Sequence, residues 1–250
     1  LEGRSDRTRE RAEVAGMKSA ADYKQLVEEV DLILSILVPS EATGVAREVA
    51  EVLTRAGESV TYVDCNAVAP ETTKQMGEII TATGSTFVDA GIIGPPPRQE
   101  GKTRFYTSGP EIAPFESLSA YGLDIRPVGS EVGQASGLKM TYAALTKGTT
   151  ALATELMVAA MRMGLYDDLV AEFKLSQEKR YRSMQGLTGM PSKAGRWIGE
   201  MEEIAKTFGD LGMPPRIYHG AADIYRMVSG VEVPTGSLEE MIECLAESLD

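Results

Sequence analysis

Histidine is nearly absent from this chain: His219 is the only one in 250 residues. A histidine-rich metal site cannot be built within one chain on that supply, so zinc hydrolase chemistry is disfavoured and no metal is expected. A Ser-His-Asp triad would have to use His219, which sits in Pro214-Pro215-Arg216-Ile217-Tyr218-His219-Gly220. The nucleophile-elbow pattern Gly-x-Ser-x-Gly occurs nowhere, so His219 reads as a surface or capping residue. Cysteine is also scarce. Cys65 and Cys244 lie far apart, neither in a Cys-x-x-Cys pair, and both read as reduced thiols. Positive charge is in deficit, with 25 Lys and Arg against 37 Asp and Glu and a net charge of −12. That balance argues against binding a nucleic-acid backbone, which needs a basic face, but leaves room for a small anionic ligand in a local basic pocket. No apolar run approaches the roughly 18 residues of a membrane span, and Leu1-Glu2-Gly3-Arg4 offers no apolar signal core. A cytoplasmic protein without membrane partners is expected.

What is present in the first half is an alternation. Helical patterns at Thr8 to Ala15 and Ala20 to Val30 precede an apolar run, Asp31 to Val38, that reads as a buried parallel-type strand ended by Pro39. A helix over Glu41 to Ala56 places Val45, Val49 and Leu53 on one face and stops at Gly57. Strands follow at Ser59 to Cys65, Thr86 to Ile93 and Arg104 to Thr107, with a helix from Glu71 to Thr83 between the first two. Strand and helix recurring about every 25 residues is the pattern of a doubly wound parallel sheet, whose ligands bind beyond the carboxyl ends of the strands. Those ends are Val38-Pro39-Ser40, Cys65-Asn66-Ala67 and Gly91-Ile92-Ile93-Gly94, all read as loops of small or polar residues.

The second half is helical. Gly133 to Gly164 reads as one helix of about 45 Å, with Leu138, Leu145, Leu152, Leu156 and Met163 along one stripe and alanines on other faces. It is too long and too apolar to be covered by the preceding domain, so later helices or a second subunit must cover it. Those later helices are expected at Tyr166 to Phe173, Ser176 to Met184, Lys193 to Gly209, Ala221 to Ser229 and Glu239 to Ser248. A loop is read at Gly186 to Ser192. The pairs Arg196/Glu200 and Glu202/Lys206 have helical i,i+4 spacing and suit a solvated face.

The order of the strand-end segments, followed by Gly133-Gln134-Ala135-Ser136-Gly137-Leu138-Lys139 at the head of a long helix, resembles the β-hydroxyacid dehydrogenase and 6-phosphogluconate dehydrogenase superfamily. Ser35-Ile36-Leu37-Val38-Pro39 is similar to its strand-end cofactor loop. Val63 through Pro70 is similar to its segment beside the nicotinamide, with Asn66 in a polar slot. Phe87 through Pro95 is similar to its substrate loop. Arg196-Trp197, Glu200-Met201-Glu202-Glu203 and Gly220-Ala221-Ala222 are typical of its C-terminal domain. The fold so implied is α/β: a Rossmann-type parallel sheet over residues 1–130, then an all-α domain over 131–250 built on the long helix. The superfamily's Gly-x-Gly-x-x-Gly fingerprint is not in this sequence, so the chain corresponds to the family without its first strand and glycine loop. The first strand being central in such a sheet, its loss is expected to open an unpaired groove between neighbouring strands.

The resemblance assigns general acid/base work on the substrate to Lys139, and NADP rather than NAD as cofactor; a lysine early in a helix also reads simply as reaching solvent. Cofactor contacts fall to Val38, Pro39 and Asn66. The Arg4, Ser5 and Arg7 cluster suits a ribose 2′-phosphate and equally suits an exposed terminus. Substrate contacts fall to Gly91, Ile92, Ile93, Gly94 and Tyr142. Two departures count against a standard hydroxy acid. Ile93 stands where the family has a serine, and Ala143, with Tyr142 beside it, where an asparagine follows the lysine. The expected activity is NADP-dependent hydride transfer to or from a small hydroxy acid or a related carbonyl or imine. The competing expectation is a non-catalytic NADP-binding or dimer-forming protein. A homodimer is expected in either case.

Overall fold

The computed structural model describes residues 5–96 and 101–249. The chain divides into two compact units. The first comprises residues 1–37, 41–65 and 72–134; the second comprises Val38–Ser40, Asn66–Glu71 and 135–250.

The sheet unit runs α1 (Asp6–Val14), α2 (Tyr23–Glu29), β1 (Leu32–Ser35), α3 (Pro39–Ala56), β2 (Thr61–Asp64), α4 (Pro70–Thr81), β3 (Thr86–Ile93), β4 (Arg104–Ser108), α5 (Ala113–Glu116), a 3₁₀ turn over Ser117–Tyr121 and β5 (Asp124–Gly129). Helix α3 turns Ala42, Ala46, Val49 and Leu53 inward at helical spacing, and Gly57 ends it in the left-handed conformation a Cβ would resist. The five strands lie side by side in chain order. β1, β2 and β3 are mutually parallel, β4 runs antiparallel to β3, and β5 is parallel to β4.

Three sequence expectations need correction here. The sheet is not wholly parallel: only ten residues separate β3 from β4, and a parallel crossover needs a dozen or more. No gap opens between strands among the described residues, because β1 lies at one edge of a continuous sheet. For the same reason Asp31 to Val38 is not a buried central strand: Leu34, Ile36 and Val38 are exposed. Strand β5 was not foreseen, since Arg126 and Pro127 break its apolar pattern; a proline is tolerated on an edge strand such as this one.

The helical unit is built on α6 (Gln134–Arg162), followed by α7 (Tyr166–Ser176), α8 (Glu178–Met184), α9 (Pro191–Asp210), α10 (Arg216–Ser229) and α11 (Leu238–Glu247). The stretch read as a loop from Gly186 to Ser192 holds a 3₁₀ turn, Gln185–Gly189, and the start of α9. Helix α6 buries its alanine face and leaves part of the leucine stripe uncovered. Its small and sulfur-bearing residues, among them Ala143, Ala151, Met157 and Ala160, are buried, while Leu145 and Leu152 are 69% and 60% exposed. Alanines let α6 lie close to its neighbours, and the methionines fill what space remains. The core continues through Met201, Ile204, Tyr225, Ile242 and Leu245. Trp197 meets Tyr225 edge-on at 5.3 Å between ring centroids. No described helix is long and apolar enough to cross a membrane.

Candidate functional site

The two strand-end segments Val38–Ser40 and Asn66–Glu71 belong to the helical unit, and the packing explains why. On α6, the position where a Cβ would stand on Gly137 is 3.6 Å from Pro70 Cγ. On α9, the corresponding position of Gly199 is 4.0 Å from Pro39 Cγ. Ala67 joins the same core cluster as Met140. The turn of α6 that carries Lys139 therefore packs beside the segment that carries Asn66. Lys139 is half-buried and Asn66 is buried, both in one compact unit.

Helix α9 connects these parts. Glu203 Oε2 accepts a 2.7 Å hydrogen bond from the Ala69 N–H. One turn earlier, Glu200 forms a 2.8 Å ion pair with Lys147 of α6, the two side chains being only 14% and 15% exposed. Lys147 Nζ also lies 5.6 Å from the Trp197 ring centre, a cation–π distance. Tyr225 donates its hydroxyl to the Lys147 carbonyl at 2.6 Å. Burial pushes the Tyr225 phenol well above its ordinary value, and it pushes Tyr62 and Tyr166 up to about 12. These phenols stay protonated near neutrality and do not act as bases.

The pairing foreseen for α9 is thus replaced. Glu200 bonds Lys147 rather than Arg196, Lys206 bonds Asp210 at 3.1 Å, and Glu202 bonds His219 at 2.8 Å and Arg226. The roles of Glu200 and Glu203 were missed because i,i+4 spacing reports only neighbours on the same helix. The one available hint was two glutamates one turn apart beside the sole tryptophan.

The other expected site residues divide as follows. Val38 is exposed and Pro39 opens α3. Gly91, Ile92 and Ile93 are not loop residues. They form the end of β3, paired with Tyr106, Phe105 and Arg104, and only Gly94 lies in the turn beyond. Gly94 has φ 131°, and a Cβ there would stand 2.2 Å from the Lys102 carbonyl oxygen, so glycine is required. Tyr142 is half exposed, whereas Ala143 belongs to the core; the residue facing out one turn beyond Lys139 is therefore Tyr142. Ser5 is the N-terminal flanking residue of α1, with its hydroxyl 3.0 Å from that of Thr8, rather than the end of a strand. Arg4 lies outside the described residues, as does the Arg7 side chain. In the sheet unit, buried Asp89 Oδ2 accepts from Ser108 Oγ and from the Gly133 N–H, both at 2.9 Å, tying the residue just before α6 to β3. Both cysteines are free thiols.

Comparison with known proteins agrees with this fold. Residues 3–118 match the NAD binding domain of 6-phosphogluconate dehydrogenase, and residues 160–228 match a domain of unknown function, DUF1932. An uncharacterized 28.5 kDa protein in the 7S RNA 5′ region of Methanothermus fervidus is 32% identical over 181 residues, covering 72% of this chain and 68% of that protein. A conserved protein of unknown function, whose structure reveals similarity with 3-hydroxyacid dehydrogenases, is 30% identical with a TM-score of 0.65, over 92% of this chain and 86% of that one. In fold, the chain also resembles 3-hydroxyisobutyrate dehydrogenase from Salmonella typhimurium, with a TM-score of 0.66 at 17% identity over 96% of this chain and 88% of that one. The chain belongs to the 3-hydroxyacid dehydrogenase-like family of nicotinamide-dependent oxidoreductases, with a 6-phosphogluconate dehydrogenase type of NAD-binding domain.

Proposed function

We propose that this protein is an NADP-dependent oxidoreductase acting on a small hydroxy acid or a related carbonyl or imine, with Lys139 transferring the proton. The observation that carries the reading is the packing of the Lys139 turn of α6 against the Asn66–Pro70 segment, marked by the Gly137–Pro70 approach at 3.6 Å. The nicotinamide half of a cofactor fits this setting: Asn66 supplies a buried polar group, and Val38–Pro39 supplies an exposed strand end. When bound, the cofactor supplies or accepts a hydride at C4 of its nicotinamide. Lys139 then protonates or deprotonates the substrate oxygen or nitrogen, a role worth about 10²–10⁴ in rate. Tyr142, exposed one turn on, faces the substrate.

Two measurements test this. Titrating NADPH fluorescence against the protein should show micromolar binding, and its absence would contradict the reading. Lys139→Ala should abolish hydride transfer; unchanged turnover would remove Lys139 from the mechanism.

The exposed leucines of α6 favour a second proposal, that the protein is a homodimer. Leu145 and Leu152 border an open groove of about 530 Å³ that Phe208, Ile217 and Ile224 also line. Seven-residue spacing lets the same stripe of a second copy lie along it. A Leu145→Lys/Leu152→Lys variant should elute as a monomer with its helical content intact. A wild-type protein that is monomeric at high concentration would sink the dimer.

A further inference from the structure

We infer that Glu203 is a positioning residue: from α9 its carboxylate holds the segment carrying Asn66 beside the Lys139 turn of α6, while Glu200 fixes α6 to the same helix. Ala69 precedes α4 and is fully buried, so its N–H has no access to water and needs a protein acceptor. Its own side chain cannot serve as a cap, and the next residue, Pro70, brings no donor or acceptor side chain. Within one helix, a glutamate at the third position can reach back to the N–H of the capping residue. Here Glu203 takes that role from 134 residues along the chain, at 2.7 Å. Glu200, three residues earlier on α9, engages Lys147 at 2.8 Å. Beside Glu200, Gly199 packs on Pro39. One helix face therefore grips both strand-end segments and the helix bearing Lys139. Loss of the Glu203 carboxylate removes the acceptor of the Ala69 N–H while leaving α6 and α9 joined through Lys147 and Glu200.

The inference rests on the oxidoreductase reading for the meaning of Asn66 and Lys139, but its test does not depend on turnover. Hydrogen–deuterium exchange would be followed in the full chain and in Glu203→Ala and Glu203→Gln. Glu203→Ala should speed exchange in peptides covering 66–70 by about tenfold, without changing those covering β2 or the centre of α9. Glu203→Gln, which keeps a carbonyl acceptor, should recover most of the protection; a bulk packing role would show no such rescue. Wherever wild-type turnover is measurable, Glu203→Ala should lower kcat and leave the KM for NADPH nearly unchanged. Unaltered exchange at 66–70 overturns the inference, as does loss of protection spread evenly over the helical unit. A wild-type protein that neither binds NADPH nor reduces any substrate contradicts the oxidoreductase reading, while the exchange result still decides the role of Glu203.

Discussion

The sheet unit and the helical unit each bury a carboxylate, and they satisfy it in opposite ways. In the sheet unit Asp89 is met by neutral donors, the Ser108 hydroxyl and the Gly133 N–H. Ser108 is its register partner across the β3–β4 ladder, so the sheet itself delivers the first donor. In the helical unit Glu200 is met by a full opposite charge, Lys147, brought from another helix. The first arrangement is built by strand register. The second cancels two charges and depends on two helices keeping their distance. The sheet unit's carboxylate is therefore tolerant of small movements, and the helical unit's pair reports directly on how α6 and α9 are packed.

The largest expected effect breaks the helical arrangement. Lys147→Ala or Glu200→Ala leaves a lone buried charge and should cost about 3–5 kcal/mol in denaturant unfolding. The double variant Lys147→Met/Glu200→Leu should regain most of that loss, whereas a double variant as unstable as the singles would show that the pair's charge is not the issue. Next is Asp89→Ala, which strands two buried donors and should cost about 2–3 kcal/mol. Smaller again is Tyr225→Phe, which removes the hydroxyl bonded to the Lys147 carbonyl and should cost about 1 kcal/mol. The smallest effect is at the solvent-exposed pair Asp124 and Arg126. Hydrogen bonding to Arg126 holds the Asp124 carboxyl below its ordinary value. Its contribution is present above the unfolded carboxylate pKa and fades as pH falls through the lowered folded value. Because the pair is open to water, Asp124→Asn should leave the neutral-pH Tm unresolved from wild type. Any difference should appear only as a slightly altered acid limb at low salt, and high salt should erase it.

Much of this was legible in the sequence, and the boundary of legibility follows physical lines. Thr86–Ile93 reads as a strand because an apolar run between Gly84 and Gly94 allows little else. Gly133 and Gly164, both with positive φ, mark the ends of α6 in the sequence as in the structure. What could not be read is which side of an element faces inward. The sequence left open whether later helices or a second subunit cover α6; close packing against other helices takes the alanine face, and Leu145 and Leu152 are left outside. Similarly, Asp31 to Val38 had the composition of a buried strand, but its edge position is a property of the whole sheet. For the proposed site, Lys139 and Asn66 are singled out by ordered motifs. Glu203 was not, because its partner is a backbone N–H, which has no sequence signature.

The central claim is that Lys139 moves the proton that accompanies hydride transfer. The most direct measurement is single-turnover oxidation of NADPH with a panel of small carbonyl and imine substrates, wild type against Lys139→Ala. The account predicts turnover in the wild type and a loss of about 10²–10⁴ in the variant, with NADPH binding unchanged. Equal rates in the two proteins would contradict it.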